Sequence, residues 1–125
     1  MNVNRRPLSP HASIYRWPLN AVMSILHRAT GVGLAVGAVL AVWWLLAAAT
    51  SEVYFGFVDS LLTSILGELV LVASLAALWY HCCNGIRHLI WDTGYGFNAV
   101  SVAWSGRLAI AAAIALTCLT ILIIQ

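Results

Sequence analysis

The order of apolar and polar positions divides the chain into three long hydrophobic runs joined by two short polar connections. The first run covers residues 22–49, and no charge falls between 31 and 49. The second covers 61–91; its middle, 69–80, is uncharged, and its end carries His81, Arg87 and His88. The third covers 106–125 and is built of Ala, Ile and Leu with Thr117 and Thr120 among them. A helix that crosses a bilayer needs about 20 mostly apolar residues, so each run predicts one spanning helix. Residues 50–60 hold Glu52 and Asp59 without a base and predict a loop. Residues 92–105 contain Gly94, Gly96 and Asn98, which is turn chemistry. Residues 1–21, with three prolines, form a polar leading segment. The expected fold is therefore all-α and membrane-embedded, with three transmembrane helices at 22–49, 61–91 and 106–125.

Composition strengthens this reading. Of the 125 residues, 62% are hydrophobic and 8% charged, against about 25% charged in an ordinary soluble domain. A mean hydropathy of +0.93 leaves too little polar surface to cover a water-soluble globule. Three spans make a poor self-sufficient bundle, so lipid and partner helices are expected to complete a heteromeric helical bundle. The six bases are all arginine, and a net charge of +2 spread along the chain is no nucleic-acid footprint. Cys82, Cys83 and Cys118 lack CxxC spacing and read as small apolar side chains.

The arginines orient the chain. Arg5, Arg6 and Arg16 precede the first run, Arg87 and Arg107 flank 92–105, and 50–60 has none. Positive residues concentrate on the cytoplasmic side, which predicts a cytoplasmic N-terminus and an external C-terminus. Trp17, Trp91 and Trp104 then lie near the inner interface, and Tyr54 and Phe55 near the outer one, as aromatic belts do. Residues 1–18 contain no apolar stretch of the kind a signal peptide has. Together with the short leading segment, this favours a bacterial inner-membrane protein over a processed mitochondrial one.

Ionisable groups inside a span are costly and mark function. Ser24, His27 and Arg28 fall at i, i+3 and i+4, on one helical face, near the inner end of the first run. A hydroxyl, an imidazole and a guanidinium there suit an anionic or carbonyl-bearing ligand; a snorkelling arginine with headgroup contacts fits the spacing equally well. His81 and His88 are seven residues apart, two turns, so they face one way about 10 Å apart along the axis. Gly67 and Ser74 extend that line, and Ala77, Asn84 and Gly85 flank it. Small residues admit another helix or a flat cofactor. A deep neutral imidazole such as His81 is a suitable axial ligand for haem iron, and a histidine hydrogen-bonded across helices fits as well. Gly31, Ala35 and Ala38 leave room near the His27 line. All of this chemistry, with Arg87 counted in it, gathers in the inner half, and nothing comparable lies in the outer half.

The residues Arg6-Pro7-Leu8-Ser9-Pro10-His11, Ile14-Tyr15 and Ser24-Ile25-Leu26-His27-Arg28-Ala29-Thr30-Gly31 resemble the N-terminal signature of the cytochrome b556 subunits of succinate dehydrogenase, membrane anchors of respiratory complex II. The run His81-Cys82-Cys83-Asn84-Gly85-Ile86-Arg87-His88-Leu89-Ile90-Trp91-Asp92-Thr93-Gly94 resembles the family's second signature. The motifs and the three-span layout cover nearly the whole chain. The resemblance implies that His81 is an axial ligand of haem b, the other ligand coming from a second membrane-anchor subunit. It implies that His27, Arg28 and His88 lie near the haem propionates. It places Ser24 and Arg28, with Ile25 and Trp17 at the edge, along a ubiquinone site shared with an iron–sulfur subunit. A flavoprotein subunit would complete the complex, passing electrons from succinate to quinone. No catalytic residue for succinate oxidation is expected in this chain. A haem-free structural anchor is the alternative. A proton channel through His81 and His88 would need polar residues continuing to the outer face, and the outer halves are nearly apolar.

Overall fold

A computed structural model describes His11 and residues 14–124. The leading-segment signature at residues 6–10, and Arg5 with it, lies outside the described residues. Among the described residues four helices follow in order: α1 (Leu19–Thr50), α2 (Glu52–Leu62), α3 (Ile65–Asp92) and α4 (Ala99–Ile124). No strand occurs among the described residues. Three of the helices, α1, α3 and α4, are long and apolar enough to cross a membrane. At 1.5 Å per residue the 32 residues of α1 reach about 48 Å, beyond a hydrocarbon core of about 30 Å, so this helix tilts or projects past the apolar layer.

The helices differ from the sequence expectation at their ends, each time for a local reason. α1 starts at Leu19 rather than 22, behind Pro18 in extended geometry. A proline disfavours the helical region for the residue before it but opens a helix readily. The segment expected as a loop at 50–60 is mostly α2. Its N-cap is Ser51, whose side chain accepts from the Tyr54 amide, and Glu52 in the first turn complements the helix dipole. Eleven residues are too few to span a bilayer, but helical pairing satisfies their backbone groups where water is scarce. Val58 is fully buried by the contact. Trp43 Nε1 donates to the Tyr54 hydroxyl at 2.7 Å, and Trp44 Nε1 donates to Asp59 Oδ1 at 3.2 Å. The two tryptophans thereby tie α2 to the end of α1.

A break at Thr63 and Ser64 separates α2 from α3, so the second span begins at Ile65 rather than 61. Ser64 caps α3 by accepting from the Gly67 amide. Gly67 has no side chain because a Cβ there would collide with the Leu61 and Leu62 carbonyl oxygens. At the other end, Gly94 and Gly96 adopt φ of 87° and 81°, a region that glycine enters without penalty. They turn the chain into α4. That helix starts at Ala99, seven residues before the apolar run, because Asn98 accepts from the Ser101 amide at 2.8 Å and caps it.

The chain thus brings the start of α1, the end of α3 and the start of α4 to one end, with α2 over the other. α3 packs against both α1 and α4. The core is thin: Met23, Ala47, Val58, Ala109 and Ala113 are the buried apolar residues. Gly106 lets α4 approach α1, since a Cβ there would stand 2.9 Å from Met23 Sδ. Most large apolar side chains face outward, among them Val32, Val39 and Leu108 at 67–69% exposure. An apolar surface this extensive needs lipid or other chains to cover it.

Candidate functional site

The three described histidines of α1 and α3 form one cluster. The His27 ring stacks on His81, centroids 3.9 Å apart and planes 12° from parallel. His88 lies 5.3 Å from His27 at 47°. Spacing along each helix allowed this; packing of α1 on α3 brought it about. Gly31 makes the close approach possible, because a Cβ there would meet His81 Cε1 at 3.1 Å.

The hydrogen bonds of His81 determine its tautomer. Its Nδ1 lies 3.1 Å from the His27 carbonyl oxygen and 3.2 Å from Thr30 Oγ1. A carbonyl only accepts, so Nδ1 carries the hydrogen and donates. In the neutral ring the lone pair is then on Nε2, for which no partner is found among the described residues. A neutral imidazole, anchored through Nδ1–H with Nε2 free, is the state in which histidine binds a metal.

His27 has the opposite condition. Its Nδ1 is the one buried side-chain nitrogen or oxygen without a hydrogen-bond partner among the described residues. Buried polar atoms are rarely left so. His88 is held on both sides: Asn84 Nδ2 stands 3.4 Å from its Nε2, and its ring meets Trp91 edge-on at 5.2 Å.

Ser24, Ile25 and Arg28 lie beside the cluster but open outward. Ser24 is half-buried, Ile25 is 43% exposed, and Arg28 is exposed with its Nε donating to the Ser24 carbonyl at 3.3 Å. His27 turns toward α3 and Arg28 away from it, so the shared face expected from their spacing is divided between two tasks. Trp17 is 61% exposed and packs edge-on against Tyr15 at 5.5 Å. It makes no ring contact with His27, His81 or His88.

Arg87 does not join the open cluster, contrary to the sequence expectation. It is 5% exposed and turned into the junction of α1, α3 and α4. Its Nε donates to Ser105 Oγ at 3.0 Å and one terminal nitrogen donates to Asn84 Oδ1 at 3.2 Å. The other donates to Asn20 Oδ1 at 2.7 Å and to the Val102 carbonyl at 3.1 Å. The guanidinium also lies 3.9 Å from the Trp91 ring centroid. Asn84 is fully buried. Because its Oδ1 accepts from Arg87, its Nδ2 is left to donate to His88, which links the helix junction to the histidines. Sequence reasoning counted Asn84 only as a flanking small residue and passed over Asn20, Thr30 and Ser105. Their partners lie on other helices, and no spacing signal reveals them.

Arg87→Met should lower the stability of the detergent-solubilised protein by roughly 2–4 kcal/mol, since it strands the Asn20 and Asn84 amide oxygens at the junction. A fall in Tm, only partly reversed by Arg87→Lys, would check this. An unchanged Tm would mean that the junction is held by apolar packing alone.

Above His81, between α1, α2 and α3, lies a cavity of 520 Å³ lined by Leu34, Gly37, Trp44, Asp59, Ser74 and Leu78 among others. Gly37 faces the Ser74 hydroxyl. Part of the small-residue stripe on α3 therefore serves this chain's own packing.

Fold and site together define a class, a multi-pass membrane subunit whose polar chemistry sits at one end of its helices. Comparison with known sequences makes the class specific. Residues 2–121 match the family described as succinate dehydrogenase/fumarate reductase transmembrane subunit. The chain is 44% identical over 123 residues to the succinate dehydrogenase cytochrome b556 subunit of Paracoccus denitrificans, covering 98% of this chain and 95% of that one. It is 42% identical over 116 residues to the Rickettsia felis subunit of the same name, covering 93% and 90%. It is 45% identical over 103 residues to the mitochondrial cytochrome b560 subunit of Bos taurus, covering 81% of this chain and 61% of that one. The chain belongs to the succinate dehydrogenase/fumarate reductase transmembrane subunit family. It is a membrane-anchor subunit of an enzyme of that class.

Proposed function

We propose that this chain binds haem b through His81 Nε2 and supplies one wall of a ubiquinone-reduction site, in a complex of the bacterial inner membrane. The observation that carries the reading is the anchoring of His81 Nδ1–H by two oxygens, which leaves Nε2 as the ligating atom. Two further features suit a haem. The Gly31 gap leaves the His81 ring room against α1, and the buried His27 Nδ1, without a partner, would gain one if a propionate entered between the helices on assembly. Within this chain the cluster offers one imidazole with this open, anchored geometry. If the iron takes a second protein ligand, a second membrane-anchor subunit would supply it, and that subunit would also cover part of the exposed apolar surface. The N-terminus is placed in the cytoplasm, and the flavoprotein and iron–sulfur subunits dock at the end where His27, His81 and His88 meet.

When bound, the haem supplies a one-electron redox centre beside the quinone. The residues of this chain do the rest. His81 holds the iron through Nε2. His27, His88 and Arg28 balance the propionate charge. Ser24 donates a hydrogen bond to a quinone carbonyl oxygen, and the exposed Arg28 guanidinium stabilises negative charge as it develops on that oxygen. Ile25 and Trp17 form the apolar rim. Protons reach the carbonyl oxygens from the nearby cytoplasmic water, over a short path.

The test is the reduced-minus-oxidised optical spectrum of the complex purified through this subunit. A b-type haem band at one haem per flavin is expected. A complex active with quinone but lacking that band would leave the haem-free anchor as the correct reading.

A further inference from the structure

We propose that Thr30 is a positioning residue for His81, and that its hydroxyl tunes how strongly Nε2 donates to a bound metal. The inference rests on the reading of His81 as a haem ligand. Thr30 Oγ1 lies 2.8 Å from the Leu26 carbonyl oxygen, 3.0 Å from the His27 carbonyl oxygen and 3.2 Å from His81 Nδ1. The hydroxyl has a single hydrogen, and neither carbonyl can donate. That hydrogen therefore goes to the α1 backbone, and the oxygen presents a lone pair to the imidazole N–H. A hydroxyl that is donating is also a better acceptor, because hydrogen bonds in a chain polarise one another.

The position of this hydroxyl is set by α1 itself. Threonine in a helix has few χ1 rotamers, and one of the two preferred ones bonds the carbonyl a turn back. One turn of α1 thus supplies everything the ring needs: the His27 carbonyl, the Thr30 hydroxyl and the gap at Gly31, where a Cβ would stand 3.1 Å from His81 Cε1. The imidazole is clamped against the backbone of α1 although it is carried by α3.

Hydrogen bonding at the distal nitrogen of a ligating histidine raises the basicity of the ligating nitrogen. A stronger donor favours ferric over ferrous iron, and such bonds are among the levers that set haem potential. Removing the Thr30 hydroxyl leaves the His27 carbonyl as the remaining acceptor. The ligand should stay bound and donate less.

The experiment uses the assembled complex carrying Thr30→Val or Thr30→Ser, with haem-to-flavin ratio, low-spin spectrum and potentiometric titration as readouts. Valine keeps the shape and removes the hydroxyl; serine keeps the hydroxyl. Thr30→Val is expected to retain haem while its ferric-over-ferrous preference falls roughly threefold, a rise of about 30 mV for a one-electron couple. Thr30→Ser should titrate like the parent. Haem loss in Thr30→Val alone, with Thr30→Ser loaded, would also support the role. A Thr30→Val potential equal to the parent's, or equal shifts or equal haem loss in both variants, would overturn it. An intact low-spin spectrum in His81→Ala would instead overturn the ligand reading on which the inference stands, so the two failures are separable.

Discussion

Replacing His81 with alanine in the assembled complex should abolish the low-spin b-type spectrum. The reason is geometric. His81 is the imidazole whose Nδ1 is committed to donation, at 3.1 Å to the His27 carbonyl and 3.2 Å to Thr30, with Nε2 open. His27 stacks 3.9 Å above it with its Nδ1 buried, and His88 already takes a hydrogen bond from Asn84 at Nε2. Neither neighbour is set to replace it. The expected outcome is loss of the haem or of its low-spin signature, read by optical and electron paramagnetic resonance spectra. Retention of the parent spectrum would move the ligand assignment to another residue. Succinate oxidation with a soluble dye acceptor should persist, because the proposed complex carries that chemistry on its flavoprotein subunit.

Arg28→Leu should lower succinate–quinone activity by roughly 10²–10³-fold, the range seen when one donor to a developing oxyanion is removed. The same preparation should keep its succinate–dye activity within about twofold, a difference too small to count as a lost catalytic contact. Arg28 is suited to this role because it is exposed and, among the described residues, only its Nε is engaged, with the Ser24 carbonyl. Contrast Arg87, whose nitrogens are spent on Asn20, Asn84, Ser105 and Val102. Arg28→Lys should recover part of the activity, since it restores the charge without the planar fork. Equal loss with quinone and dye would show that the substitution acts through assembly.

The contrast between the two arginines marks where sequence reasoning ends. Both sit near a span end, and each is next to a histidine in sequence, Arg28 after His27 and Arg87 before His88. Spacing places each on a face of its own helix. It says nothing about which neighbour that face meets. Arg87 meets α4 because Gly106 allows close packing there, and Ser105 and Val102 arrive with it. Arg28, among the described residues, makes its side-chain hydrogen bond within its own helix.

The amphipathic helix α2 was hidden for a different reason. Glu52, Gly56 and Asp59 interrupt the hydropathy of 50–60 and give it the composition of a loop. Its helicity depends on the Ser51 cap and on Trp43, Trp44 and Ala47 offering a surface for Tyr54, Asp59 and Val58. A short segment is a marginal helix by itself and becomes stable through such contacts. The extension of α4 back to Ala99 has the same character, since one Asn98 cap outweighs the polar composition of the first turns.

What the sequence determined by itself was membrane residence, three spans and the confinement of polar chemistry to one end. These follow from local quantities: run length, the cost of charge in hydrocarbon, and helical periodicity. Two signatures also carried the family resemblance. What only the tertiary structure decided was which atoms of those residues remain available. The stacking of His27 on His81, the donation of His81 Nδ1 to α1 and the withdrawal of Arg87 into the helix junction all depend on α1, α3 and α4 meeting at specific heights. That register is set by contacts between residues more than fifty positions apart, such as Thr30 with His81 and Asn20 with Arg87, and no one-dimensional pattern encodes it.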